Sequence, residues 1–302
     1  MQKIAALLLL TPSFLAMAWL VTKAQHFWDT RPDLQFGWVV LLLCAYLFWE
    51  AWEKHPPIDF RARWWCVLLF IFGGVLLFWV QIYLAALGLN AASLYGMGLG
   101  VMAMVAANLG VVFGWRGVRH FAMSFVFLFV ALPLPSIIQG RVVNGLQHHV
   151  AAIDVNILNL LGIPAEQVGS LVHLSTGTVG IDEACSGIRS LQSTIMATVF
   201  IGYLSLRRFS FQVLLLLSGV TLAIVGNLIR SLYLCLTANA RGIDAVKEVH
   251  DAAGWSILVF TAIGVILISW LFNKMDKTLA AVQEPSQVKV QTASPPLAKS
   301  ES

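Results

Sequence analysis

Three side chains suited to nucleophilic chemistry follow one another in the second half of the chain. Cys185 stands where a hydrophilic stretch meets an apolar one, Arg230 lies deep in the next apolar run, and His250 shortly precedes a third. A cysteine thiolate attacks carbonyl carbons, and a histidine can take the thiol proton and later deliver it to a leaving amine. An arginine can stabilise the resulting oxyanion or hold a substrate carboxylate. This set predicts a catalytic site with Cys185 as the nucleophile.

The residues around Cys185 adjust the reactivity of its thiol. A position at the N-terminal end of a helix lowers a thiol pKa, and Arg189, one helical turn later, adds a positive charge on the same face. Asp182 and Glu183 oppose this effect, although either carboxylate can cap the helix instead. Ser186 directly follows the thiol. We therefore count these four neighbours as supporting residues of the predicted nucleophile.

Each of the three residues also has a simpler structural interpretation. An arginine inside a membrane costs at least about 2.5–3.5 kcal/mol and by default marks function, yet Asn227 or a backbone carbonyl could be its structural partner. A histidine at a loop–helix junction is commonly solvated or caps the helix. A cysteine in a membrane helix is usually a small packing residue, and we expect that role for Cys44, Cys66 and Cys235.

The composition places most of the chain in a lipid bilayer. Hydrophobic residues make up 59% of the sequence and charged residues 11%, and the mean hydropathy is +0.80. Because a soluble protein carries about 25% charged residues, a soluble globular fold is excluded. The net charge of +4 arises from Lys and Arg residues scattered between apolar runs, so nucleic acid is not an expected partner.

Hydropathy predicts an all-α integral membrane protein with about eight transmembrane helices. The predicted spans cover residues 4–22, 36–52, 64–87, 92–114, 119–137, 185–205, 209–239 and 252–272. The first run has no convincing cleavage site after it, so we interpret it as a retained helix. Lys and Arg are more frequent in every second connection, which by the positive-inside rule places both termini in the cytoplasm.

One long external connection precedes the sixth predicted span. Residues 137–161 mix apolar and polar side chains, including Asp154, at spacings typical of an amphipathic helix on the membrane surface. Residues 171–181 carry β-branched side chains around a Ser-Thr-Gly sequence, which predicts a short hairpin. We assign residues 1–282 to one transmembrane domain. Residues 283–302, rich in Pro, Ser, Gln and Lys, are predicted to form a disordered cytoplasmic tail.

This topology provides a test of the catalytic hypothesis. Cys185 begins the sixth predicted span at its outer end, and His250 lies just before the eighth, also outside. The seventh span runs outward, and Arg230 lies about 14 Å below its outer end at 1.5 Å per residue. All three residues therefore fall in the outer half of the membrane, where they can converge.

No cofactor and no metal ion are expected. His148, His149, His173 and Asp182 are the candidate zinc ligands. Adjacent histidines on a helix point about 100° apart, however, and no ligand motif is present. The four cysteines form no disulfide framework, since three of them lie inside predicted spans.

Three runs of the sequence resemble the exosortase/archaeosortase family. They are residues 181–190, 226–230 and 250–251, which read IDEACSGIRS, GNLIR and HD. The resemblance covers roughly residues 133–270 and implies a catalytic part at about residues 133–272. The family consists of multi-pass cysteine transpeptidases, or presumed proteases, of prokaryotic membranes. By similarity, Cys185 is the nucleophile, Arg230 the membrane arginine and His250 the third catalytic member.

A histidine at the third position, rather than a second arginine, resembles the bacterial exosortase branch. The resemblance implies an enzyme of the bacterial inner membrane whose active site faces outward. It implies substrates with PEP-CTERM-type sorting signals, which are a short motif such as Pro-Glu-Pro, a hydrophobic helix and a basic cluster. A thioester would form, the tail would leave, and the acyl group would pass to an acceptor amine or to water. Members are often linked to exopolysaccharide production.

A non-enzymatic membrane protein is the alternative hypothesis. A small transporter, or an assembly subunit of an export system, could use Arg230 to bind an anionic substrate. Against this, acidic residues are almost absent from the interiors of the predicted spans, with only Glu50 near an end. Proton coupling therefore has few candidate residues.

Overall fold

The computed structural model describes residues 2–31, 34–133, 135, 137, 140–141, 144–181 and 187–292. It is mostly helical, at 83%. The chain divides into two compact units, Met1–His149 and Val150–Ser302.

The apolar runs of the first unit form helices. Pro12 lies in the first turn of the second helix, where its missing N–H has no partner to lose. Asn90 caps the fifth helix through a reciprocal pair of hydrogen bonds with Ser93. The helices are α1 (Gln2–Leu9), α2 (Thr11–Thr30), α3 (Gly37–Glu53), α4 (Trp64–Leu87) and α5 (Ala91–Val126), which continues as a 3-10 helix (Phe127–Ala131).

Helix α5 reverses direction at Gly114. This glycine has φ 72° and ψ −169°, a conformation that residues with a Cβ rarely adopt. The rings of Tyr95 and Phe129 lie 5.9 Å apart, whereas a straight helix would separate these two positions by about 50 Å. The two arms of α5 therefore form a hairpin, and its turn lies where the spans 92–114 and 119–137 were predicted to meet.

Helices α3 and α4 pack against α5. A Cβ at Gly73 on α4 would lie 2.8 Å from the carbonyl oxygen of Gly100, so only a glycine allows this close approach. On α3, the ring of Phe48 stacks on Phe121 with centroids 5.4 Å apart. Helix α4 leaves many large apolar side chains exposed, as a lipid-facing helix requires, among them Val67, Phe70, Phe78 and Trp79.

The second unit combines helices with a small sheet. Its helices are α6 (Asn144–Leu160, of which the residues from Val150 onward belong to this unit), α7 (Gly187–Ser205), α8 (Phe209–Arg241) and α9 (Ile243–Thr292). The sheet lies between α6 and α7 in the sequence. One buried apolar cluster joins α6, the sheet and α8, and it includes Val150, Leu158, Val172, Val179, Ile181, Leu234 and Ala238.

The sheet consists of three short antiparallel strands in the order β1-β2-β3. The strands are β1 (Ala165–Val168), β2 (Leu171–Leu174) and β3 (Gly177–Gly180). Val172 pairs with Val179, and both side chains are buried in the apolar cluster. Strands β2 and β3 occupy the residues predicted as a hairpin. Strand β1 was not predicted, because its sequence Ala-Glu-Gln-Val has a single β-branched residue.

Helices α7 and α8 pack as an antiparallel pair, and so do helices α8 and α9. Along each contact, residue numbers rise on one helix as they fall on the other. Glycines mark the closest approaches, because a helix without a Cβ at the contact can lie nearer its partner. The pairs are Gly202–Leu215 and Gly219–Thr198 between α7 and α8, and Gly226–Ile257 and Gly264–Leu222 between α8 and α9.

Helix α9 begins at Ile243, well before the predicted start at residue 252. The prediction that His250 precedes this helix is therefore wrong, since it lies about two turns inside. Charged residues in these two turns lower the hydropathy, although Ala245 and Val246 are buried. The described helix ends at Thr292, and residues 293–302 lie outside the described range, so a disordered tail stays a prediction.

Four of the described helices are long and apolar enough to cross a bilayer. They are Trp64–Leu87, Ala91–Ala131, Phe209–Arg241 and Ile243–Leu279. The predicted number of about eight spans is not confirmed. Helix α3 has 17 residues, at the lower limit for a membrane span, and α2 carries Lys23 and Asp29. Eight spans, and an orientation with both termini inside, remain predictions.

Candidate active site

Arg230 and His250 are in direct contact. Nη2 of Arg230 lies 3.0 Å from Nε2 of His250 and 3.4 Å from its carbonyl oxygen. A guanidinium has only donors, so this contact is a hydrogen bond in the tautomer whose Nε2 is the acceptor. Its proton is then on Nδ1, which lies 2.9 Å from Oδ1 of Asp251 and donates to it. The predicted arginine and histidine therefore come together, and the lone pair of Nε2 points at the guanidinium.

The guanidinium keeps unused hydrogen-bonding capacity. Arg230 is 9% exposed, and its Nε has no hydrogen-bond partner among the described residues. Asn227, one turn earlier on α8, is also buried, and its Oδ1 likewise lacks a described partner. Asn227 Oδ1 therefore does not accept a hydrogen bond from Arg230. Since a buried donor without a partner costs about 1–3 kcal/mol, an oxygen atom that accepts a hydrogen bond from Nε would remove this cost.

Gly254 provides the space for this guanidinium. A Cβ at position 254 would lie 3.3 Å from Nη2 of Arg230. Gly254 follows His250 by one turn on α9, so the same helix face carries both the histidine and the gap that admits the arginine.

The register of α7 on α8 brings the beginning of α7 to the level of Arg230. Gly202 contacts Leu215 and Gly219 contacts Thr198. Continuing this antiparallel register residue by residue places Gly187, the first residue of α7, opposite Arg230. From this register we infer that the N-terminal end of α7 lies level with Arg230 and His250.

Several predicted residues lie outside the described part of the chain. Cys185 precedes Gly187 by two positions in the sequence, and residues 182–186 are not among those described. Asp182, Glu183 and Ser186 belong to the same segment. Arg189 lies in the first turn of α7, but its side chain is also outside the description. The described structure therefore joins Arg230, Asn227 and His250 and leaves the nucleophile and its neighbours as predictions.

Two buried polar groups were not recognised as part of this region. Gln192 on α7 is 7% exposed, and its Oε1 has no described partner. Asp154 was predicted on the polar face of a surface helix, but it is fully buried and accepts a hydrogen bond from Ser231, the residue after Arg230. Burial raises the pKa of Asp154 to about 6, and the hydrogen bond from Ser231 partly opposes this rise. The sequence signal that could have identified Gln192 is a polar amide side chain inside an apolar run.

A cavity of about 300 Å³ borders His250 on the side of the sheet. One wall is strand β3, and the other is the first two turns of α9, from Ile243 to His250. His250 thus stands between the guanidinium and an open groove. No group of three described His, Cys, Asp or Glu side chains could hold a metal ion.

Comparison with protein families identifies a match. Residues 28–268 match the family described as transmembrane exosortase (Exosortase_EpsH). No curated protein and no solved structure matches the chain. The match covers most of both units, including α7, α8 and the part of α9 that carries His250. The chain therefore belongs to the transmembrane exosortase family.

Proposed function

We propose that this chain is a cysteine transpeptidase or protease that removes C-terminal sorting signals from exported proteins. The observation that carries the proposal is the contact between Arg230 and His250, with a guanidinium that retains an unpaired buried donor. Cys185 lies two positions before the helix whose first residue is level with Arg230. Membership of the exosortase family supports the same type of activity.

The first half of the reaction forms a thioester. His250 takes the proton of the Cys185 thiol on Nε2, and the thiolate attacks the carbonyl carbon of the scissile amide. Arg230 withdraws its donor from Nε2 and presents it, together with Nε, to the oxyanion of the tetrahedral intermediate. The intermediate collapses, the carbon–nitrogen bond breaks, and the leaving amine takes the proton from His250. The released product is the membrane tail of the substrate.

The second half transfers the acyl group. An acceptor amine or water gives a proton to His250 and attacks the thioester carbonyl. Collapse of the second tetrahedral intermediate breaks the carbon–sulfur bond, and the thiolate recovers a proton from His250. Asp251 holds the imidazole through Nδ1 in both halves. This hydrogen bond keeps Nε2 as the nitrogen that exchanges protons.

The proposed substrates are proteins with PEP-CTERM-type tails. The hydrophobic helix of such a tail would lie in the bilayer beside the helices, and its recognition motif would reach the outer face of the inner membrane. A role in surface-protein sorting linked to exopolysaccharide forms part of the proposal. In this arrangement the substrate arrives from the membrane, while the acceptor arrives from outside.

A reporter experiment tests the proposed function. A secreted reporter protein carries a C-terminal Pro-Glu-Pro motif, a hydrophobic helix of about 20 residues and a basic cluster, and is produced with the enzyme in a bacterial host. We expect wild-type enzyme to shorten the reporter, and Cys185→Ala and Cys185→Ser to abolish this processing at normal membrane levels. Cys235→Ala, at a buried cysteine of α8, is the matched control and should retain processing.

The transporter hypothesis makes the opposite prediction. A protein that only binds an anion with Arg230 has no use for a thiol, so the Cys185 variants would behave like wild type. Full processing by both variants would disprove the nucleophile assignment. Absence of processing by the wild-type enzyme would count against sorting-signal cleavage itself.

A further inference from the structure

Strand β3 has a free edge. The sheet order is β1-β2-β3, so β3 pairs with β2 on one side only. Leu174 pairs with Gly177 across a two-residue turn, and the N–H of Ile181 donates to the carbonyl oxygen of Ser170. Hydrogen-bonded and non-hydrogen-bonded residue pairs alternate in an antiparallel ladder. Thr178 and Gly180 on β3 therefore belong to the non-hydrogen-bonded pairs. The main-chain N–H and C=O groups of these two residues point away from β2.

These outward groups have no hydrogen-bonded main-chain partner among the described residues. They line the cavity beside His250, together with Val179 between them. An unpaired strand edge is a template for another extended chain. The edge of β3 therefore offers two N–H and C=O pairs on residues that line the groove beside His250.

The opposite wall of the groove is one face of α9. Ile243, Val246, Lys247 and His250 line it at spacings of three and four residues, which places them on one side of the helix. From Ile243 to His250 the wall is about 10 Å long at 1.5 Å per residue. An extended peptide of about three residues has the same length.

The groove has a closed end and a catalytic end. A Cβ at Gly177 would lie 3.3 Å from Cβ of Ile243, so strand and helix meet there, and Gly177 has φ 143°, which only glycine adopts readily. His250 lies at the other end of this wall, two turns of α9 after Ile243.

We propose that this groove binds the substrate main chain as an added strand on β3, next to the scissile bond. The inference rests on the proposed function and specifies how its substrate is held. Main-chain hydrogen bonds to Thr178 and Gly180 fix the register of the bound segment, as in other cases of strand addition. Alternate substrate side chains face Ile243, which is half-buried, and the stem of the exposed Lys247. The enzyme thereby selects an extended segment and delivers its scissile amide to His250.

Proline substitution at the free edge tests the hydrogen bonds. Thr178→Pro removes an outward N–H without touching the ladder to β2, and Thr178→Val keeps that N–H while removing the same hydroxyl. We expect Thr178→Pro to lower the processing rate of the reporter about 3- to 10-fold relative to Thr178→Val, at equal membrane level and thermal stability. Equal rates in the two variants would overturn the proposal.

Disulfide trapping provides a test that does not require turnover. The enzyme carries Cys185→Ala, alanines at its other cysteines, and Thr178→Cys, and the reporter carries one cysteine at successive positions along and before its motif. Opposed residues of paired strands have Cβ atoms about 4.5–5.5 Å apart, within reach of a disulfide. Under mild oxidation we expect the strongest adduct at the reporter position opposite residue 178, weaker adducts two residues to either side, and none at the positions between.

The outcomes separate the two proposals. Adducts at every position alike, or at none, would overturn strand addition even if wild-type enzyme processes the reporter. Alternating adducts without processing by wild-type enzyme would support the groove and count against cleavage. Alternating adducts together with the loss in Thr178→Pro would support both.

Discussion

The guanidinium of Arg230 has two roles in the proposed site. It donates a hydrogen bond to His250, and it has a second donor for the oxyanion. In the described state its Nη2 donates to Nε2 of His250, while its Nε stays unpaired. The planar fork allows one nitrogen to hold the imidazole while another waits for an oxyanion. A point charge in the same place would attract an anion but could not divide its donors between two fixed directions. The shape of the side chain, and not only its charge, is therefore part of the site.

We predict that Arg230→Lys lowers the processing rate of the sorting-signal reporter about 100-fold or more, as loss of an oxyanion donor does elsewhere. Reporter processing over time, at equal membrane levels, measures this effect. Arg241→Lys is the control, because Arg241 lies at the exposed end of the same helix and its ion pair with Glu248 is long, at 4.0 Å. A fully active Arg230→Lys enzyme would reduce the role of Arg230 to a point charge.

The buried carboxyl of Asp154 predicts a dependence of stability on pH. Its pKa is raised from 3.8 to about 6 in the folded protein, mainly by burial. The folded state therefore binds more protons than the unfolded state between these values, and stability falls as pH rises from about 4 to about 6. The contribution is at most about 3 kcal/mol.

Asp154→Asn should remove this pH dependence, because the amide keeps the shape and does not ionise. Thermal unfolding of the purified wild type and variant in detergent, from pH 4 to pH 8, measures the difference. We expect the variant to gain stability relative to wild type as pH rises from about 4 to about 6, and the difference to be constant above about pH 7. A difference that does not change with pH would show that Asp154 does not titrate in this range.

At the scale of elements, the sequence predicted the helices better than their ends. Apolar runs located α4 and α8 almost to the residue, because a lipid-facing helix is apolar on every side. The first two turns of α9 were not predicted, since one face packs towards the sheet while the other carries Asp244 and Glu248. The burial of Asp154 was not predicted for a related reason. Its partner is Ser231, far away in the sequence, and no local pattern reports a tertiary hydrogen bond.

The contact between α7 and α8 provides a prediction at this scale. A Cβ at Gly219 would collide with Cγ2 of Thr198, so a larger residue must push the two helices apart. We expect Gly219→Leu to destabilise the protein by about 1–3 kcal/mol. Processing should fall together with stability, because the beginning of α7 would move away from the level of Arg230.

The matched control is Gly74→Leu, because a Cβ at Gly74 meets nothing within 4 Å. Thermal unfolding and reporter processing are measured for both variants. If Gly219→Leu loses stability but processes the reporter at the wild-type rate, the register of α7 on α8 does not position the nucleophile.

At the scale of the whole molecule, hydropathy predicts more spans than length and composition alone support. Four described helices meet both criteria, and the hairpin of α5 at Gly114 counts as one of them although its arms run in opposite directions. A hydropathy profile separates the two arms at the charged residues Arg116 and Arg119, but it cannot reveal the tight turn of the glycine. The predicted side of the membrane for each helix end rests on the distribution of Lys and Arg, and labelling experiments measure it directly.

Thiol labelling of Cys185 from outside tests the topology and the nucleophile together. After replacement of Cys44, Cys66 and Cys235, a membrane-impermeant maleimide reaches Cys185 in intact cells only if the site faces outward. We expect labelling at neutral pH to be faster than for an ordinary thiol, because only the thiolate reacts and the site favours it. His250→Ala and Arg230→Ala should both slow the labelling, since each removes a group that stabilises the thiolate or accepts its proton. Labelling only after the membrane is permeabilised would reverse the predicted topology, and an ordinary rate unaffected by either substitution would make Cys185 a packing residue.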